Sequence, residues 1–119
     1  MSFNYKIIAV DFDGTLCTNK WPEIGKPNED LIMYLQQHKR SGGKLILWTN
    51  RVEERLDEAV AWCKKFGLIF DAVNENLQDV IDTFGSDSRK VFAHEYIDDR
   101  MHNGFKLPFE DMSGEESGD

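Results

Sequence analysis

The apolar run Ile7-Ile8-Ala9-Val10 ends on two carboxylates separated by one residue, Asp11 and Asp13, followed by Gly14, Thr15 and Leu16. Side chains alternate along a β-strand, so a spacing of two aims both aspartates at one face, and Gly14 lets the backbone turn sharply beneath them. Such a pair can divide the labour of group transfer, one carboxylate attacking while the other holds or accepts a proton. Asp and Gly are also common where a strand merely ends and a turn begins. The preceding run favours the chemical reading: unbroken apolar stretches are typical of strands buried on both faces of a parallel sheet, and ligands bind at the carboxyl ends of those strands.

Two further strand ends carry polar groups. Lys44 to Trp48 reads as a second strand and stops on Thr49-Asn50-Arg51; a strand around Tyr96-Ile97 ends on Asp98-Asp99. Each cluster alone could be a cap or a turn. In a parallel sheet, however, all three ends converge on one edge, which gathers Asp11, Asp13, Thr49, Asn50, Asp98 and Asp99 into one neighbourhood.

The intervening sequence supplies the elements that would hold these ends in place. Residues 18 to 27 contain Asn19, Pro22, Gly25 and Pro27 and read as a loop or short hairpin, with Trp21 and Ile24 able to fold over the site. Asn28 is a candidate N-cap, followed by Glu29 and Asp30 and by a stripe of Leu31, Leu35 and His38 flanked by Tyr34, ending at Ser41-Gly42-Gly43. Leu56, Ala59, Val60, Cys63 and Phe66 predict a second helix stopped by Gly67. Leu68 to Val73 reads as a third strand, and Leu77, Val80, Ile81 and Phe84 as a short helix closed by Gly85. The polar segment from Ser86 leads to the fourth strand. Strands alternating with helices imply parallel pairing through right-handed crossovers, hence a three-layer α/β fold.

At 119 residues the chain supports one compact domain, with 40% hydrophobic residues, eight Phe and three Trp for its core. No apolar run approaches the ~20 residues that span a bilayer, and the N-terminal residues carry no secretory-type pattern, so a soluble cytoplasmic protein is expected. Cys17 and Cys63 have no metal-binding spacing and are expected to be reduced, buried small hydrophobes. Of the net charge of −8, residues 110 to 119 supply five acids and no base, which leaves −3 on the body, residues 1–109, and marks a solvated acidic tail. That balance gives no electrostatic argument for nucleic-acid binding.

Asp11-Phe-Asp-Gly-Thr-Leu16, Leu47-Trp-Thr-Asn50, Lys90 and Tyr96-Ile-Asp-Asp99 resemble, in order and spacing as well as type, the motifs of the haloacid dehalogenase superfamily, in its phosphatase branch, over residues 6 to 100. The resemblance implies a Rossmann-like core with strand order 4-1-2-3, with or without a fifth strand beyond the fourth. It implies that Asp11 attacks phosphorus and becomes a transient aspartyl-phosphate. Asp13 would protonate the leaving oxygen and then activate water; its presence argues against a dehalogenase. Mg²⁺ would be held by the Asp11 carboxylate, the Asp13 backbone carbonyl and the Asp98-Asp99 pair, with either member of that pair as the direct ligand. Thr49 and the backbone of Asn50 would grip phosphate oxygens, and Lys90, or its neighbour Arg89, would add positive charge.

Arg51 and Arg100 follow these motifs and could contact substrate, although an arginine at a helix start is at least as well placed to pair with Glu54 or Glu58. His38, His94 and His102 show no mutual metal-ligand spacing. The gaps from Thr15 to Thr49 and from Thr49 to Lys90 leave no room for a cap domain, so the substrate would meet an open site, covered only by the loop from Asn19 to Lys26 or by a second copy of the chain. The expected activity is hydrolysis of a phosphomonoester on a small molecule or a macromolecular end. A nucleotidase or polynucleotide-end phosphatase of the same mechanism, a phosphotransferase, and a non-catalytic module that binds a phosphorylated ligand are the alternatives.

Overall fold

The structure, a computed structural model, describes residues 4–85 and 91–98. The segment 86–90 with Arg89 and Lys90, and Asp99, Arg100, His102 and the tail 110–119, lie outside the described residues. Among the described residues nine elements follow in order: β1 (Ile7–Val10), β2 (Cys17–Lys20), β3 (Glu23–Pro27), α1 (Glu29–Arg40), β4 (Lys44–Leu47), α2 (Glu53–Lys65), β5 (Ala72–Val73), α3 (Gln78–Phe84) and β6 (Glu95–Ile97). The chain is thus mixed α/β, built on a four-stranded sheet in the order β5-β4-β1-β6 with every pairing parallel. That is the expected strand order.

All four residues of β1 are buried, and alternation divides them between two sets of partners. Ile8 and Val10 join a cluster with Leu31 and Leu35 of α1 and with Ala59 and Cys63 of α2. Ile7 and Ala9 join another with Ile46, Ala72, Val80 of α3 and the segment Val91 to Ala93. Fully burying an aliphatic side chain of this size contributes about 1.5–3 kcal/mol, so the unbroken apolar run is what fixes β1 at the centre.

Local signals set the helix ends. The Asn28 side chain accepts the Leu31 N–H at 3.3 Å, as an N-cap should, and donates to the Thr15 carbonyl at 3.0 Å, which ties the start of α1 to the loop after β1. Both α1 and α2 close with paired reverse hydrogen bonds: Gly42 to Lys39 and Gly43 to His38 after the first, Gly67 to Lys64 and Leu68 to Cys63 after the second. Residues 18 to 27 form a hairpin, β2–β3, in which the Thr18 hydroxyl accepts the Lys26 N–H at 2.8 Å. His38 and His94 serve the backbone, bonding to the Lys44 carbonyl and the Ile7 N–H at 2.8 Å each.

The third strand is shorter than the expected Leu68 to Val73. Its first part is consumed by other bonds: the Leu68 N–H closes α2, and the Asp71 carboxylate takes the Leu45 N–H at 2.8 Å and Lys39 at 2.7 Å. Only Ile46↔Ala72 and Leu47↔Val73 remain as ladder pairs.

Cys17 and Cys63 are free and fully buried. Burial pushes their thiols up to about 11 and about 12. A folded-state pKa above the unfolded one means that stability is fully present below the ordinary thiol range and is lost as pH rises through these values. Denaturant midpoints should therefore hold steady to about pH 8 and fall progressively between about pH 9 and 12. The Cys17→Ala, Cys63→Ala double variant should show a smaller fall across that window.

Candidate active site

Register places the site. Val10 pairs with Leu47 on one side and Ile97 on the other, so the residues that follow, Trp48, Asp11 and Asp98, stand side by side at the carboxyl ends of β4, β1 and β6. The ladder bonds continue past the strand ends, from Asp11 N–H to Ile97 at 2.9 Å and from Trp48 N–H to Val10 at 2.8 Å. Asp11 orients its own carboxylate by accepting the Phe12 N–H at 2.7 Å. Asp11, Trp48 and Asp98 line a cleft of about 390 Å³ whose remaining wall is Ala9, Val91, Tyr96 and Ile97. The Tyr96 hydroxyl donates to the Val91 carbonyl at 2.6 Å and accepts the Ala93 N–H at 3.0 Å, which fixes the segment forming that wall.

Asp13 is held differently. The chain turns after Phe12, whose carbonyl accepts the N–H groups of Thr15 and Leu16, and Gly14 takes φ +83°, a left-handed conformation that costs glycine nothing. The Asp13 carboxylate is gripped by both arms of the Arg51 guanidinium, Nε and Nη2, at 2.8 Å each. Arg51 also donates to the carbonyls of Pro22 at 3.2 Å and Glu23 at 2.8 Å in the hairpin. Its side chain is 1% exposed, and the rings of Phe12 and Trp21 lie 5.0 and 4.9 Å from its guanidinium carbon. The hydrogen bond to Asp13 raises the Arg51 pKa against the opposing effect of burial, so the guanidinium stays charged. Sequence spacing offered Glu54 or Glu58 as the partner of Arg51; the structure pairs it with Asp13 instead.

Thr49 follows Trp48 at the end of β4, where its hydroxyl oxygen accepts the Arg51 N–H at 3.1 Å. Its own N–H donates to the Asn74 side chain at 2.8 Å. Asn74 follows β5 with φ +56°, a region in which Asn is the commonest non-glycine residue, and sequence reasoning passed over it. Asn50 is exposed. The structure therefore brings Asp11 and Asp98 onto one cleft with Thr49 close in sequence to its wall, and holds Asp13 at the hairpin through Arg51. Lys90 and Asp99 lie outside the described residues.

Among the described residues no group of three or more His, Cys, Asp or Glu side chains forms a metal centre. The donors that are in place fit Mg²⁺ nonetheless. Asp11 and Asp98 present only oxygen, and Mg²⁺ is typically held by one or two carboxylates, with water and substrate phosphate completing its shell. Among the described residues no helix is long and apolar enough to cross a membrane.

No protein-family model matches the chain, and no curated protein matches it. A solved structure does: a conserved protein from Bacteroides thetaiotaomicron is 34% identical, superposes with a TM-score of 0.72, and the match covers 98% of this chain and 93% of that one. Identity of this size over nearly the full length of both chains means that this chain belongs to the same family as that conserved Bacteroides thetaiotaomicron protein.

Proposed function

We propose that the chain is a Mg²⁺-dependent phosphomonoester hydrolase of the haloacid dehalogenase type, a three-layer, Rossmann-like domain without a cap. The observation that carries this reading is the placement of Asp11 and Asp98 on adjacent parallel strand ends, lining one cleft. A carboxylate that must attack phosphorus needs an exposed strand end and a neighbour that can share a cation with it. In this reading Asp11 attacks the phosphoryl group and carries it as an acyl phosphate while Asp13, released from the Arg51 fork and carrying a proton taken up from solvent, gives that proton to the departing oxygen. Asp13 then takes a proton from water, which displaces phosphate and restores the Asp11 carboxylate. The Thr49 hydroxyl, Asn50 and Lys90 steady the phosphoryl oxygens.

Bound Mg²⁺, held by Asp11 and Asp98 with the Asp13 carbonyl and Asp99, would screen the phosphate dianion from the attacking carboxylate. Several kcal/mol of that stabilisation correspond to roughly a thousandfold in rate. Turnover of an aryl phosphate should therefore fall by that order on chelation and return with added Mg²⁺. The substrate class is a phosphorylated small molecule or macromolecular end, since an open cleft sets no upper size. Folded protein that, with Mg²⁺ present, turns over nothing in a panel of phosphorylated metabolites, nucleotides and phosphate-ended oligonucleotides would sink the proposal in favour of a binding module.

A further inference from the structure

Among the described residues Arg51 is the charged side chain that is fully buried. Four of its hydrogen bonds run to two separate parts of the chain: two to the Asp13 carboxylate in the turn after β1, and two to the Pro22 and Glu23 carbonyls in the hairpin. Trp21, from the same hairpin, lies over its guanidinium and is itself 57% exposed, so this ring is the lid between Arg51 and solvent. A guanidinium is a rigid fork, and satisfying both oxygens of one carboxylate fixes the orientation of that carboxylate.

We infer that Arg51 is a positioning residue that holds the Asp13 carboxylate in one orientation and joins it to the β2–β3 hairpin, so that the two move as a unit. If the hairpin lifts, Arg51 loses two carbonyls and the Trp21 ring, water reaches the guanidinium, and its grip on Asp13 weakens. Conversely, removing the carboxylate leaves a buried cation without its counter-charge, and opening the hairpin relieves it. Coupling of this kind is reciprocal by thermodynamic necessity. The mechanical half stands on the geometry alone; its catalytic consequence, that the hairpin governs proton delivery, rests on the phosphatase reading.

Amide hydrogen exchange tests the mechanical half. In Arg51→Lys and in Asp13→Asn, the amides of Lys20, Trp21, Glu23 and Ile24 should exchange about tenfold faster or more, because a lysine cannot reproduce the fork and an asparagine lacks the charge, while β4 amides keep their protection. Should either variant fail to fold, Trp21→Ala alters only an exposed ring, and exchange of the Arg51 Nε proton should rise by about tenfold once that lid is gone. Unchanged exchange at these sites would overturn the coupling. For the catalytic half, a carboxylate whose two oxygens both accept from Arg51 has no proton to give until the fork lets go, so Arg51→Lys should shift the ratio of alkyl-phosphate to aryl-phosphate turnover by about tenfold, since only the alkyl ester depends strongly on proton donation. An unchanged ratio would overturn the positioning role. If the wild-type protein hydrolyses neither ester, the phosphatase reading is what has failed, and the exchange result decides the coupling by itself.

Discussion

Asp11→Asn is expected to lower phosphatase turnover by roughly 10⁴-fold or more, the scale on which enzymes respond to loss of a nucleophile that works with a paired acid. The amide oxygen can still accept the Phe12 N–H, and the residue sits at a cleft rather than in the core, so the fold should be spared. Thermal melting is the control: a midpoint within a few degrees of wild type, together with lost turnover, separates chemistry from folding. A variant that melts normally and retains full turnover would remove Asp11 from the mechanism.

Asp13→Ala is expected to behave in the opposite way with respect to stability. Truncation strands the Arg51 cation in a buried position, and breaking a buried pair by removing one partner costs about 3–5 kcal/mol. Two hairpin carbonyls still bind Arg51, and the Asp13 side chain is 21% exposed, so the lower end of that range applies. A loss of about 3 kcal/mol lowers the melting midpoint of a domain of this size by roughly 10–20 °C. The double variant Asp13→Leu, Arg51→Met should recover much of the loss, because an apolar pair of similar bulk carries no desolvation cost. A wild-type melting curve for Asp13→Ala would mean that Arg51 is not held as the structure has it.

These two aspartates also mark the limit of what sequence pattern reveals. Periodicity and capping chemistry located both long helices, including the Asn28 cap, because those signals are local. The apolar run Ile7 to Val10 announced a central strand, because no other position tolerates four successive buried side chains. The shortened β5 was not legible, since Leu68 to Val73 has the composition of a strand and the competing partner, the Leu45 N–H, comes from another element. The partner of Arg51 was hidden for the same reason. The helix that follows Arg51 offered carboxylates, whereas the arginine's partner lies 38 residues away in sequence. A signal was nevertheless present: an arginine at a strand end that converges with two aspartates has a stronger claim on them than on solvated glutamates of the helix that follows it. Asn74 could have been read from its side chain too, because an asparagine just past a strand is suited to a left-handed turn whose amide caps a neighbouring loop.

The proposed chemistry turns on a covalent bond at one atom. Wild-type protein mixed with an aryl phosphate and Mg²⁺ and quenched in acid should carry a phosphoryl group on the peptide containing Asp11, stable in acid and released by hydroxylamine. The same peptide from Asp11→Asn should carry none. Turnover without any label on that peptide, undiminished in Asp11→Asn, would contradict an aspartyl-phosphate mechanism at this site.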